Sequence, residues 1–243
     1  MYQQWAQMVV VKYSYLIGIS LLSSCLWVGF AFAANDTHLS TSELEVVEPE
    51  GALTTVEQGP TSGQQLLELL LGLNNTQANF QQTLLDFRGQ VVDQSSGTLA
   101  LSKPSLRWEV NLPFTQVIVV ADGLLRIYDP DLEQVIEKDM SGSDEALPLK
   151  LLLDPTQLLA GDYRINKISV DGDVQFLLQP TGNQSLFTSV RLAFMGEQLL
   201  ELEITDHVGQ RTQVTFSGIL SQQNIPASTF ELDLPANTDV LRG

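Results

Sequence analysis

The chain has one cysteine, two histidines and only 12 Lys plus Arg against 29 Asp plus Glu, a formal net charge of −17. A single cysteine cannot close an intrachain disulfide, so no covalent framework holds the fold. His38 and His207 lie far apart, each without a neighbouring His or Cys, so a metal site would have to be built from carboxylates alone. Scarce positive charge argues against nucleic acid, whose phosphates need a basic footprint. The sequence also lacks Gly-x-Ser-x-Gly, a phosphate loop and a dinucleotide fingerprint. The acidic pairs Asp129/Asp131 and Asp171/Asp173 flank turns, where Asp serves local backbone hydrogen bonds. This is the inventory of a binder: no enzyme, no catalytic residue, no metal and no cofactor are implied.

The one long apolar run is N-terminal, Tyr13 to Phe32, and Lys12 is the only charge before Asp36. Ala31-Phe32-Ala33 supplies small residues for signal peptidase, so residues 1–33 read as a cleavable export signal ending at Ala33. Two alternatives stay open. The run is nearly long enough for a permanent anchor, and Leu22-Ser23-Ser24-Cys25 looks like a lipobox that would acylate Cys25. Residues 34–63 carry Asp36, Glu43, Glu45, Glu48, Glu50 and Glu57 with no Lys or Arg, and read as a disordered acidic leader. Residues 64–243 make one domain.

In that domain, Gln64 to Asp86 has a helical pattern. Leu66, Leu69, Leu70 and Leu73 fall at i, i+3, i+4 and i+7, Phe80 and Leu84 extend the stripe, and Gly72 and Asn74-Asn75 predict a break. The stripe suits either a core or the apolar underside of a lid. Strands are then predicted at Thr98–Ser102, Leu106–Val110, Val117–Val120, Leu124–Tyr128 and Gln134–Lys138. A loop at Ser141–Asp144 and a short helix over Pro148–Leu153 follow. Five more strands are predicted at Arg164–Val170, Val174–Gln179, Thr188–Phe194, Gln198–Thr205 and Gln213–Ile219, and Phe230–Pro235 is a last extended piece. Asp122-Gly123 is a hairpin turn signal. Val117 to Val120 is apolar at every position, so its outward face must be covered or its alternation is hidden. The fold class is mainly β: an antiparallel sheet of about ten or eleven strands curled into an unclosed barrel, with few helices.

Phe80-x-Gln82, Lys103-Pro104, Arg107-Trp108-Glu109, Pro113, Gln116, Asp122-Gly123, Tyr128-Asp129, Gln134-Val135, Pro148 with its Leu run, and Phe230 to Pro235 with Asp239-Val240 resemble, in this order, the periplasmic outer-membrane lipoprotein carrier family, LolA. The likeness covers about Leu66 to Val240. It implies a half-barrel capped by short helices over an apolar cavity for acyl chains, and a monomeric chaperone in the periplasm. Such a carrier takes acylated lipoproteins from an inner-membrane ATP-driven exporter and hands them to an outer-membrane receptor of the same fold. The implied wall is Leu106, Trp108, Val110, Ile118 and Val120. The implied lid is Leu66, Leu69, Leu70, Leu73 and Phe80 with Leu149, Leu152 and Leu153. Lys103 stands where the family has an Arg that latches the lid. Trp108→Glu is expected to abolish binding and leave folding largely intact. Other readings are a dry core made of the same residues, an anchored receptor lipidated at Cys25, and a periplasmic sensor of lipid or lipoprotein stress.

Overall fold

The computed structural model describes residues 60–140, 147–170, 173–182 and 185–242. The export signal, Cys25, His38, residues 34–59 of the acidic leader and the Ser141–Asp144 loop lie outside the described residues; the last leader residues are described, and Ser62 and Gly63 already belong to the first helix, so the leader ends earlier than the predicted 63. No helix among the described residues is long and apolar enough to cross a membrane.

Helix α1 spans Ser62–Gly72 and starts on a capping box: the Thr61 hydroxyl accepts from the Gln64 N–H, and Gln64 Oε1 accepts from the Thr61 N–H at 2.8 Å. It does not continue to Asp86. Asn75 takes a left-handed φ of 54°, and the chain turns there into strand β1, Thr76–Leu85. Phe80 and Leu84 were misleading because a separation of four keeps one face in a strand as well as in a helix. In β1 the buried residues are Thr76, Ala78, Phe80, Gln82 and Leu84, a period of two.

A meander follows: β2 Val91–Ser102, β3 Ser105–Leu112, β4 Gln116–Ala121, β5 Leu124–Asp129 and β6 Gln134–Asp139. Strand β2 begins seven residues before the predicted Thr98, because Asp93-Gln94-Ser95-Ser96-Gly97 carries no apolar signal. Between β4 and β5, Asp122 and Gly123 both have positive φ, 52° and 76°, as a tight primed turn requires. Helix α2, Leu147–Leu153, and a 3-10 turn at Pro155–Ala160 lead to the second meander. It comprises β7 Tyr163–Val170, β8 Asp173–Pro180, β9 Phe187–Met195, β10 Gln198–Asp206 and β11 Arg211–Leu220.

The described strands form one 12-stranded sheet in the order β12-β6-β5-β4-β3-β2-β1-β11-β10-β9-β8-β7, where β12 is Asp239–Arg242. Strand β1 joins the two meanders, and no pairing closes β7 onto β12. All pairs are antiparallel except β12 with β6, which is parallel. The count exceeds the predicted ten or eleven because β1 had a helical pattern and β12 is short. Of the Phe230–Pro235 piece, Phe230 ends a 3-10 turn that begins at Ala227, and the rest pairs with no strand.

The all-apolar β4 has its outward face covered. Val117, Val119 and Ala100 pack under Phe230, with Ile225 and Leu232 beside it. Arg107 on β3 holds this crossing tail, its guanidinium donating to the carbonyls of Thr229 at 3.4 Å and Glu231 at 3.2 Å.

Candidate functional site

The inward face is built by alternation. Strand β3 presents Leu106, Trp108 and Val110, and β4 presents Ile118 and Val120, each opposite its neighbour in register. These five join Leu66, Leu70 and Leu73 of α1, Phe80 of β1, and Leu149 and Leu152 of α2 in one buried cluster; Leu69 and Leu153 pack against it, half-buried. All thirteen residues expected to wall or roof a cavity therefore meet. Trp108 lies at the centre, its ring centroid 4.2 Å from Phe80 and 6.1 Å from Phe216, the latter edge-on. Being only 7 % exposed, it cannot take a carboxylate harmlessly. Trp108→Glu would bury an unpaired charge and compromise folding, contrary to the expectation from sequence.

Much of the inner cluster was missed. Phe176 and Leu178 of β8, Val190, Leu192 and Phe194 of β9, Leu202 of β10, and Val214 and Phe216 of β11 belong to the same cluster. Their alternation is plain in sequence, but alternation names two faces and does not say which one turns inward. The gap among Leu73, Ala78, Leu99, Leu101, Leu152, Leu199, Phe216 and Ile219 is about 20 Å³, room for about one water-sized body. The apolar groups thus pack on one another beneath α1 and α2.

The roof is fastened by polar hooks. Lys103 Nζ, at the β2–β3 turn, donates to the carbonyl of Leu70 near the end of α1. Burial pushes its ammonium down to about 8, with Asp154 just after α2 pulling the other way. Nearby, the Lys103 N–H donates to Asn74 Oδ1 at 2.9 Å and Ser102 Oγ to Asn75 Oδ1 at 2.8 Å. The Asn-Asn pair that breaks the helical pattern therefore also pins the helix end to the sheet. Toward the other end of α1, Lys167 Nζ on β7 donates to Gln65 Oε1 at 2.7 Å. Nothing in the sequence pairs Gln65 with Lys167, which are 102 residues apart.

Residues 72–233 match the family model described as outer membrane lipoprotein carrier protein LolA. The outer-membrane lipoprotein carrier protein of Chromohalobacter salexigens is 34% identical over 193 residues, covering 79% of this chain and 92% of its own. That of Hahella chejuensis is 34% identical over 177 residues, covering 72% and 85%. Among solved structures, an uncharacterized conserved protein from Thermus thermophilus superposes with a TM-score of 0.50 at 14% identity, over 75% of this chain and all of that one, a likeness of fold. The match spans both meanders and the helices between them, and the chain belongs to the outer-membrane lipoprotein carrier family.

Proposed function

We propose that this protein is a periplasmic chaperone that binds the acyl chains of lipoproteins and carries them, without catalysis, from an inner-membrane exporter to an outer-membrane receptor. One observation carries the reading. A continuous apolar concave face is roofed by two short helices, and α1 is fastened to the sheet by a few polar hooks rather than by continuation of the sheet. Residues 1–33 serve as the export signal in this reading, residues 34–59 as a leader, and residues 60–243 as the carrier, since Thr61 caps α1.

The energetics allow exchange of roof for cargo. An acyl chain offers about 0.8 kcal/mol per buried CH₂, so a dozen methylenes supply about 10 kcal/mol. Lifting α1 re-exposes Leu66 and Leu70 at about 1.5–3 kcal/mol each and breaks hydrogen bonds worth about 1 kcal/mol apiece. With buried Leu73 included, the two sums are of the same size, so cargo and lid compete closely and a tighter-binding receptor can take the cargo.

The test adds purified protein to spheroplasts synthesising a labelled lipoprotein. The expected result is a soluble one-to-one complex in the supernatant. Label that stays with the membrane, in the presence of demonstrably folded protein, overturns the carrier reading.

A further inference from the structure

Strand β2 is longer than the strand beside it. It runs from Val91 to Ser102, but β3 pairs with it only from Ser96, opposite Leu112, to Ser102, opposite Ser105. Residues 91–95 therefore have β1 on one side and no strand on the other among the described residues. Strand β3 leaves the lane at Leu112-Pro113, where proline has no N–H to offer a ladder. A groove of about 340 Å³ lies in the vacated lane. Gln82 and Ser95 line it from the inner face, Thr83 and Gln94 from the outer face, and Leu112 and Pro113 close its end. Only a gap in the plane of the sheet touches both faces at once. Beside it Val91, Val92 and Leu112 are 58, 48 and 63 % exposed. Ser95 Oγ is buried there and has no hydrogen-bond partner among the described residues.

In an antiparallel ladder alternate residues turn their N–H and C=O away from the neighbour already paired, so this stretch offers peptide groups to the empty lane. An open edge beside exposed apolar side chains is a template for one more strand. We propose that residues 91–95 of β2 are a docking edge that takes an extended peptide segment of another protein as an additional strand. The two faces of the lane set the chemistry of that guest. Asp93 and Ser95 stand opposite the inward Leu84 and Gln82, so the guest's inner side chains meet a carboxylate and an unpaired hydroxyl. Lys or Arg, with Ser or Thr, suits that side. Its outer side chains lie against Val91, opposite the outward Leu85, and against Leu112, and apolar ones suit them. The guest is therefore a strand that alternates basic or hydroxyl residues with apolar ones and carries no Asp or Glu. A second copy of this chain does not fit. Each copy has a net charge of −17, and two β2 edges paired antiparallel about Asp93 would set like charges opposite each other. The edge lies at the end of β2 away from Lys103, and its use does not rest on the acyl-chain reading.

Selection of a displayed random heptapeptide library on the purified protein, followed by calorimetry with the most enriched peptide, tests this. Enriched sequences are expected to alternate apolar residues with Lys, Arg, Ser or Thr and to lack Asp and Glu. Methylating alternate backbone nitrogens of the peptide in two separate sets distinguishes strand pairing from side-chain contact, because only one set faces β2. That set is expected to lower affinity about tenfold or more and the other to leave it within about twofold. Val92→Lys and Asp93→Asn are expected to weaken binding about tenfold while the unfolding midpoint stays put. An unpatterned selection, equal effects of the two methylation sets, or binding that survives Val92→Lys overturns the docking edge. A concentration-dependent dimer that Val92→Lys dissociates overturns it too, since a second copy is then the occupant. The spheroplast assay decides the acyl-chain reading separately, so the two can fail independently.

Discussion

Lys103 sits where three groups converge: the Leu70 carbonyl of α1, the side chain of Asn74, and Asp154 beyond α2. An arginine would offer a planar fork of donors there, whereas lysine offers one compact ammonium that can give up its proton. Its folded pKa of about 8 lies below the 10.5 of a free lysine, so between those values the unfolded chain binds more protons than the folded one. Stability must then rise with pH across that window, because the cost of burying the charge is present below pH 8 and disappears as the group is neutralised. Thermal unfolding from about pH 8 to 10.5 is expected to show a gain for the wild type relative to Lys103→Met, which has nothing to titrate. A constant difference between the two proteins across the window would refute this account of the hook.

Strand β2 shows how an element is shaped by one residue. Its register with β3 shifts between Ser96 and Gly97, and a Cβ on Gly97 would lie 1.8 Å from the Glu109 carbonyl oxygen and 2.9 Å from the Phe80 ring. The oxygen belongs to backbone, so it cannot swing aside. Gly97→Ala is therefore expected to cost about 2–3 kcal/mol or more, read as a lowered denaturant midpoint in urea unfolding. A variant within about 0.5 kcal/mol of wild type would mean that β2 and β3 do not approach as described. Helix α1 makes a different kind of element. Its stripe at i, i+3, i+4 and i+7 fits only a helix, whereas the Phe80–Leu84 pair that follows fits either period, and only the first part is helical. Thr61 caps its start and the left-handed Asn75 ends it, and beyond that turn the chain has β2 and β11 to pair with.

At the scale of the molecule, one sheet separates two apolar clusters. The large inner one holds Trp108, and the small outer one holds Val117, Val119 and Phe230. The outer cluster has no part in the proposed cargo site. It anchors the tail that reaches round to β12, which Arg107 clamps from beneath. Phe230→Ala is expected to cost about 3–5 kcal/mol of stability, as for large-to-small changes in a core. Where the variant remains folded, its affinity for cargo, read as the yield of soluble lipoprotein complex from spheroplasts, should be unchanged. Loss of affinity without loss of stability would show that the outer cluster communicates with the inner face.

The stretch from Leu101 to Pro130 could be read strand by strand because its alternation, its prolines and Asp122-Gly123 are local signals, and local signals depend on the period of the backbone alone. The apolar run of β4 left two readings, a covered outer face or a hidden alternation, and Phe230 decides for the first. That thirteen apolar residues meet in one cluster was legible for a related reason, since their spacing puts them on single faces of their elements. The neighbours across the sheet were not. That β1 is a strand, that β8 to β11 turn one particular face toward Trp108, and that Lys167 reaches Gln65 depend on pairings between distant segments, and period-two alternation is silent about which face is inside.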